Sequence, residues 1–332
     1  MRCNDGEVPL PPLVELLSSA RVVALPLRTR FRGIEVREAM LFEGPAGWTE
    51  FSPFVEYDDA EAASWLSAAI DFGWRELPVP LRTRIPVNAT IPGVAADEVA
   101  GILARYPGCR TAKVKVAGGD VSLADDVARV AAVREALGPE GRIRVDANGN
   151  WNVDEAEHAA HALEPFDLEY IEQPCATVEE LVELRRRVRY MGIPVAADES
   201  VRRAEDPLAV AEAGAADLLV IKAQPLGGIK TALQIVGRAG LPVVVSSAID
   251  TSVGLSMGAF LAASIPELEY DCGLGTAELL AADVTAEPLS VTDGAIDVRR
   301  VVPDAALLDQ HAASPERRDW WLARLKAVYA HL

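Results

Sequence analysis

The feature that most constrains the fold is a regular alternation, from residue 84 onward, of short β-branched runs with Ala-rich, charged helical patterns. Such alternation is typical of βαβ units, whose strands form a parallel sheet. The runs lie at 84–89, 111–116, 142–147, 168–173, 194–199, 217–222, 242–247 and 268–273. None is followed by a GxGxxG or Walker A loop, which favours a closed eight-stranded barrel over an open, doubly wound sheet.

The two ends of the chain have a different pattern. Residues 21–43 predict two strands joined by a turn at Arg32 and Gly33, and residues 58–72 predict a helix. Another strand is expected at 295–300, followed by a C-terminal helix. These pieces cannot extend the barrel. We therefore predict an α/β protein with a barrel at 85–278 and a small α+β capping domain formed by both chain ends, 1–84 and 279–332.

The composition excludes several classes of partner. The chain has 50 acidic and 32 basic residues, so its net charge of -18 argues against binding nucleic acid. It has no apolar run of about 20 residues, as a membrane span requires. The N-terminus carries acids and prolines instead of a signal sequence, and the four cysteines are scattered. We expect a cytoplasmic protein with reduced thiols, and the sequence leaves monomer and homo-oligomer open.

Polar residues recur near the carboxyl ends of successive runs, where a barrel places its active site. They are Lys115, Asp146, Glu172, Asp198, Lys222 and Ser246, at intervals that match one strand, one helix and two loops. A charge inside an apolar strand costs several kcal/mol unless it is paired or binds a cation. The regular spacing therefore predicts one active site that collects these side chains.

Three of the charges, Asp146, Glu172 and Asp198, are carboxylates that would repel one another unless a hard divalent cation lay between them. Oxygen ligands without His or Cys favour Mg²⁺ over zinc. The sequence therefore predicts Mg²⁺ as cofactor with these three residues as ligands. The alternative is three unrelated acids, each in its own salt bridge near a strand end.

The lysines supply a base. Lys113 and Lys115 lie two residues apart on a strand and so point to the same side, with Lys222 expected opposite across the barrel mouth. A base that faces a metal-held carboxylate can remove the proton α to that carboxylate. We predict that Lys115 and Lys222 are catalytic, that Lys113 positions Lys115, and that the substrate is a small-molecule carboxylate.

Other candidates have two interpretations each. Asn148 could support the site by touching substrate or a metal-bound water, but Asn-Gly is equally a turn signal. Ser246 and Ser247, with the amides of the following loop, could bind a carboxylate or could cap the next helix. Gly273 suits close approach of the backbone to a ligand, or simply a turn.

Glu199 is expected to point away from Asp198 and to be structural. Arg28, Arg30 and Arg32 crowd the predicted hairpin tip, where a lid arginine could meet a substrate carboxylate, although a solvated loop is the simpler interpretation.

The motifs resemble those of a known family. Those typical of the muconate-lactonizing subgroup of the enolase superfamily are KVK at 113–115, DAN at 146–148, EQP at 172–174, ADES at 197–200 and IK at 221–222. The stretches similar to o-succinylbenzoate synthases of the actinobacterial type are 86–92, 114–120, 170–175, 222–228, 244–254 and 272–276. The resemblance implies a (β/α)7β TIM-like barrel with a capping domain from both chain ends.

It also implies a reaction, the Mg²⁺-dependent syn dehydration of a succinyl-hydroxycyclohexadiene carboxylate (SHCHC) to o-succinylbenzoate in menaquinone biosynthesis. Lys115 would take the α-proton and Lys222 would stay an ammonium that stabilises the enediolate. The alternatives are an N-succinylamino acid racemase or dipeptide epimerase, and a barrel that binds a carboxylate without turnover. Only one acid, Asp271, occupies 271–273 on the eighth run, which disfavours the epimerase and its Asp-x-Asp.

Overall fold

The structure is a computed structural model that describes residues 10–119, 121–202 and 207–332. Its strands are β1 (Arg21–Phe31), β2 (Ile34–Gly44), β3 (Gly47–Phe51), β4 (Arg84–Pro86), β5 (Ala89–Ile91), β6 (Thr111–Lys115), β7 (Arg142–Asp146), β8 (Leu168–Glu172), β9 (Val195–Ala197), β10 (Leu218–Ile221), β11 (Val243–Val245) and β12 (Ala295–Asp297). Its helices are α1 (Leu13–Ser19), α2 (Asp59–Trp74), α3 (Val99–Leu103), α4 (Leu123–Leu137), α5 (Val153–Leu163), α6 (Val178–Val188), α7 (Glu199–Arg202), α8 (Ala209–Glu212), α9 (Ile229–Ala239), α10 (Ser252–Ser264), α11 (Ala305–Gln310) and α12 (Pro315–Tyr329). From β5 onward strands and helices alternate, as the sequence pattern predicted.

The centre of the molecule is a parallel sheet in the order β5-β6-β7-β8-β9-β10-β11. A short segment joins its two edges, because Cys272 forms a bridge with Val87 on one side and Gly273 forms a bridge with Ser246 on the other. The Gly273 N–H donates to the Val245 carbonyl at 2.8 Å, and the Asn88 N–H donates to the Cys272 carbonyl at 3.0 Å. The predicted (β/α)7β barrel is confirmed, with an eighth position reduced to two residues.

Two predicted barrel strands were wrong in extent. In the first run, Arg84–Pro86 pairs antiparallel with β12, and the barrel strand lies at Ala89–Ile91. Arg84 and Pro86 are exposed and only Ile85 is buried, a pattern that suits a strand with one face in water and not the fully buried barrel. In the eighth run, only Cys272 and Gly273 are buried between the sheet edges, so 268–271 forms no ladder.

The N-terminal strands form a separate antiparallel sheet, β1-β2-β3, whose third strand the sequence analysis missed. Helix α2 packs on this sheet and is capped by Asp58, whose carboxylate accepts the Glu61 N–H at 2.8 Å. The C-terminal helix α12 packs against α2, and the buried ring of Trp321 meets Phe51 edge-on with centroids 5.9 Å apart. Both chain ends therefore build the capping domain, while its boundaries at 84 and 279 stay a prediction.

In the described ranges, no helix combines the length and the apolar character needed to cross a membrane.

A half-buried ion pair joins the two chain ends and makes the stability of the capping domain depend on pH. Arg317 of α12 donates to both oxygens of Glu38 on β2, at 2.8 and 2.6 Å, and the Trp321 indole N–H donates at 2.9 Å. Burial opposes the charge of Glu38, but these donors outweigh it and lower the pKa of that carboxyl below its usual 4.5. The stabilisation is therefore complete above about pH 4.5 and is lost as the pH falls through the lowered pKa.

We expect Glu38→Gln to lower the free energy of unfolding by about 1–3 kcal/mol at pH 7, and by progressively less in acid. Urea unfolding of the variant, measured from pH 7 into acid, checks the prediction. The control is Glu35→Gln, at an exposed position on the same strand. A Glu38→Gln effect that is independent of pH would mean that shape, and not charge, holds α12.

Candidate active site

A cavity of about 470 Å³ opens at the carboxyl end of the barrel sheet. It is lined by most of the side chains that the sequence predicted, namely Lys113, Lys115, Asp146, Asn148, Asp198, Lys222, Ser246, Ser247 and Gly273. The capping domain contributes its opposite wall with residues that include Phe31, Arg32, Phe54 and Trp65. The predicted side chains thus meet in one chamber between the barrel mouth and the cap.

The strand register explains why spacing along the chain predicted this meeting. Lys115 lies beside Asp146 in the β6–β7 ladder, and Asp146 lies beside Glu172 in the β7–β8 ladder. Strand side chains alternate between faces, so the neighbouring Val114 and Val145 point to the apolar side and are fully buried. Charged residues at the last inward position of each strand therefore form a row around the mouth.

On one side of the mouth, two lysines share the carboxylates. The Lys113 ammonium lies 2.8 Å from Glu172 Oε1 and 3.1 Å from Asp146 Oδ2, and Lys115 Nζ lies 2.5 Å from the same Asp146 oxygen. Burial disfavours the charge of Lys113, but Glu172 and Asp146 outweigh burial and raise its pKa well above the usual value. Burial likewise opposes the charge of Asp146, yet Lys115 and Lys113 lower its pKa. Lys113 is thus held as a cation next to Lys115.

Across the mouth, Lys222 Nζ lies 2.5 Å from both oxygens of Asp198, and Arg202 Nε donates to Asp198 Oδ1 at 3.1 Å. Burial tends to raise the pKa of Asp198, but Lys222 and Arg202 hold it at about 2. The pKa of Lys222 is lowered by burial, with Asp198 opposing that change. The two predicted catalytic amines therefore face the cavity from opposite sides, β6 and the end of β10.

Asn148 is a turn residue, as one of its two interpretations has it, whereas its contact with substrate or a metal-bound water stays a prediction. Its backbone adopts a left-handed φ of 50°, as a turn residue does, and its Oδ1 accepts a hydrogen bond from Lys115 Nζ at 2.7 Å. Its amide donates to Glu199 at 3.2 Å, and Glu199 pairs with Arg202 at 2.7 Å. The expectation that Glu199 points away from Asp198 was wrong, because Glu199 begins helix α7 instead of continuing the strand, lines the same cavity as Asp198 and shares Arg202 with it.

Ser246 and Ser247 end the seventh barrel strand and contact the closing segment. The Ser247 hydroxyl donates to the Gly273 carbonyl at 3.0 Å and bonds the Thr276 hydroxyl at 2.7 Å. A Cβ on Gly273 would lie 2.5 Å from Ser246 Oγ, so any larger residue there would displace the Ser246 side chain. Helix α10 is capped by Thr251, whose hydroxyl accepts the Val253 N–H, and not by the two serines.

The three predicted metal ligands are adjacent but ion-paired. Glu172 Oε1 and Asp146 Oδ2 reach the same ammonium, that of Lys113, so one cation already bridges them. Glu172 Oε2 is buried with no hydrogen-bond partner, and burial together with Asp146 raises the pKa of Glu172 to about 7. In the described part of the chain, no three acidic, His or Cys side chains are already grouped to hold a metal. A carboxylate with an orphaned oxygen in an all-oxygen set nevertheless fits a divalent cation.

Comparison with known proteins identifies the family. Residues 95–305 match the model of the enolase C-terminal domain-like family, and residues 22–73 match the enolase N-terminal domain-like family. The chain belongs to the enolase superfamily. Enolase-superfamily sites use a Lys or His base together with divalent metal, which agrees with the residues gathered here.

Two curated relatives indicate which members of the enolase superfamily this chain is similar to. The chain is 56% identical over 324 residues to an o-succinylbenzoate synthase of Mycobacterium tuberculosis, covering 97% of each chain. It is 54% identical over 322 residues to one of Mycolicibacterium smegmatis, covering 97% of this chain and 98% of that protein. The 2-chloromuconate cycloisomerase from Rhodococcus opacus superposes with a TM-score of 0.76 over 89% of this chain and 98% of that one, at 24% identity, which shows the shared enolase-superfamily fold.

Sequence reasoning missed several residues of this enolase-superfamily site. Arg129 on α4 is buried, pairs with Asp126 at 2.6 Å and donates to the Lys115 carbonyl at 2.8 Å, which fixes the end of β6. Arg202 donates to the Tyr57 hydroxyl of the cap at 2.7 Å. The Asp–Arg spacing of three on a helix was the available signal for the first pair. The second contact joins residues 145 apart and left no local signal.

Proposed function

We propose that the protein is an o-succinylbenzoate synthase, which removes water from the cyclohexadiene SHCHC by syn elimination and makes o-succinylbenzoate for menaquinone biosynthesis. The observation that carries the proposal is the pair of amines, Lys115 and Lys222, facing one cavity from opposite sides beside three strand-end carboxylates. Identity of 56% to an o-succinylbenzoate synthase over 97% of the chain supports the choice of substrate.

Lys115 acts as base and then as acid. It takes the proton on the carbon α to the ring carboxylate, and the electron pair of that C–H bond moves into the enediolate. When the enediolate collapses, the C–O bond to the neighbouring hydroxyl breaks and Lys115 returns the proton to the departing oxygen as water. Asn148, which bonds Lys115 Nζ at 2.7 Å, and Lys113 aim the amine for both steps.

Lys222 stays an ammonium throughout and stabilises the enediolate from the other face of the substrate. Burial lowers the pKa of Lys222, and its partner Asp198, 2.5 Å away, opposes that change and favours the charged form. Ser246 and Ser247, together with the backbone of the following loop and Gly273, bind a substrate carboxylate on the same side of the cavity.

Asp146, Glu172 and Asp198 would hold Mg²⁺, for which an all-oxygen ligand set is the preferred one. When bound, the cation would stabilise the negative charge that the substrate carboxylate gains as the proton leaves. Lys113 offsets the remaining carboxylate charge around the site.

We propose further that the enzyme is cytoplasmic and has no nucleic-acid or membrane partner. The proposal covers both a monomer and a homo-oligomer. Cys109, Cys175 and Cys272 are free thiols, which suits a reducing compartment.

The test is proton NMR of the purified protein with Mg²⁺ in D2O, offered SHCHC and an N-succinylamino acid in parallel. We expect rapid aromatisation of the diene and slow deuteration of the amino acid at its α-carbon. A sample treated with EDTA is the control and should do neither. Fast deuteration with slow aromatisation would instead assign an N-succinylamino acid racemase, because in that reaction the same two lysines exchange protons on opposite faces.

A further inference from the structure

The loop that follows the seventh barrel strand has an unusual backbone. Ile249 adopts a φ of +60°, in the left-handed region that β-branched residues avoid. Ile249 and the preceding Ala248 are both buried and both line the cavity next to Ser246 and Ser247. A conformation of this kind persists only where surrounding groups hold it.

One group that holds it comes from the capping sheet. Arg37 of β2 is 3% exposed, and its Nε donates to the Ile249 carbonyl at 3.2 Å. A second arm of the guanidinium donates to the Ser52 carbonyl beside β3. The group also lies 4.5 Å from the centre of the Phe54 ring, which itself lines the cavity. Arg37 therefore fixes the strained peptide to the cap.

A second group holds the far end of the same loop. Glu50 of β3 is fully buried, and its Oε2 accepts hydrogen bonds from the Thr251 N–H at 3.1 Å, the Thr251 hydroxyl at 2.5 Å and the Gly254 N–H at 3.2 Å. A Cβ on Gly254 would lie 2.7 Å from the Glu50 carboxyl carbon, so glycine makes room for it. A carboxyl group from the cap thus accepts hydrogen bonds from the first turn of α10, a helix of the barrel.

We infer that Arg37 and Glu50 form a clamp by which the capping domain sets the conformation of the substrate-binding loop 246–251, and that both are positioning residues for substrate binding. The inference rests on the proposed function for its substrate and on the described contacts for its structure. Without the clamp, the φ angle of Ile249 relaxes to a negative value. The backbone conformation that places Ser247 and Ala248 in the cavity then changes as well.

The first test needs no substrate. Hydrogen–deuterium exchange of the whole protein is compared for wild type, Arg37→Met, Glu50→Met and Arg82→Met. Arg82 also binds α10, but at its other end, through the carbonyls of Ala262 and Ile265 at 2.9 and 2.7 Å. We expect amides within 246–254 to exchange at least about tenfold faster in the two clamp variants and unchanged in Arg82→Met. Unchanged exchange in the clamp variants would overturn the inference, whether or not the proposed reaction is correct.

The second test separates positioning from general damage. Arg37→Met is expected to raise KM for SHCHC about tenfold while kcat falls less than about threefold, and Arg37→Lys, which keeps one donor, is expected to recover most of the loss. In an Ile249→Gly background, where positive φ is tolerated, the same Arg37→Met change is expected to raise KM less than about threefold. Equal effects of Arg37→Met in both backgrounds would contradict the clamp. If wild type does not turn over SHCHC, the proposed function fails while the exchange result still decides the clamp.

Discussion

Replacing Lys115 with alanine is expected to lower kcat for dehydration by about 10²–10⁴-fold, the range that a general acid–base group contributes. The fold should survive, because Asp146, the buried partner of Lys115, keeps the Lys113 ammonium at 3.1 Å. Steady-state rates with saturating Mg²⁺ and a thermal melt measure the two quantities. The matched control is Lys326→Ala, an exposed lysine on α12 that should change neither.

The same variant distinguishes the roles of the two neighbouring lysines. If Lys113 were the base, Lys113→Ala would abolish turnover and Lys115→Ala would retain most of it. The contacts favour Lys115 as the base, because Glu172 and Asp146 hold Lys113 in its charged form. A Lys115→Ala protein that keeps more than about a tenth of wild-type kcat would contradict the assignment of Lys115.

Glu172→Gln is expected to remove most of the affinity for Mg²⁺ and, with it, at least about 10²-fold of the activity, because a catalytic metal contributes several kcal/mol and each tenfold in rate corresponds to about 1.4 kcal/mol. Glutamine keeps the size of Glu172 and an oxygen that can accept from the Lys113 ammonium, which lies 2.8 Å from Glu172 Oε1, so we expect the fold to survive. Isothermal titration with Mg²⁺, and the melting temperature with and without Mg²⁺, test binding apart from turnover.

Glu135→Gln on the exposed face of α4 is the control for this experiment, and it should bind Mg²⁺ as wild type does. We expect EDTA to abolish wild-type activity and excess Mg²⁺ to restore it. Unchanged Mg²⁺ affinity in Glu172→Gln would exclude this carboxylate as a ligand and leave Asp146 and Asp198 as the remaining acids of the prediction.

The sequence predicted which side chains meet at one cavity more accurately than it predicted where individual strands begin and end. The ends of parallel strands meet, so regular spacing placed Lys115, Asp146 and Lys222 around one cavity without any knowledge of partners. Predicting strands in the same way failed at 84–89 and 268–273. A β-branched run indicates that a strand is favourable there, but it does not indicate which sheet edge the strand joins. In the first run, the two halves join different sheets.

Contacts between the cap and the barrel could not be predicted from local patterns. Glu50 and Thr251 lie 201 residues apart, and Arg37 and Ile249 lie 212 apart. Neither Glu50 nor Arg37 interrupts its strand in a way that marks it as functional, since alternating strands commonly carry charged residues. Only the packing of two domains buries these side chains and gives them partners.

The joining of both chain ends in the cap has a consequence for biosynthesis. Strands β1 to β3 leave the ribosome before the barrel strands, and α12, which covers α2, leaves it after them. Arg324 of α12 also donates to the carbonyls of Phe54 and Tyr57, at 3.1 and 2.6 Å, so α12 completes the wall of the cavity. A nascent chain therefore holds this apolar surface of the cap uncovered until the whole barrel has been made, which favours chaperone binding. A chain terminated before residue 315 would carry every lysine and carboxylate of the site, but it would lack the helix that completes the capping-domain wall of the cavity.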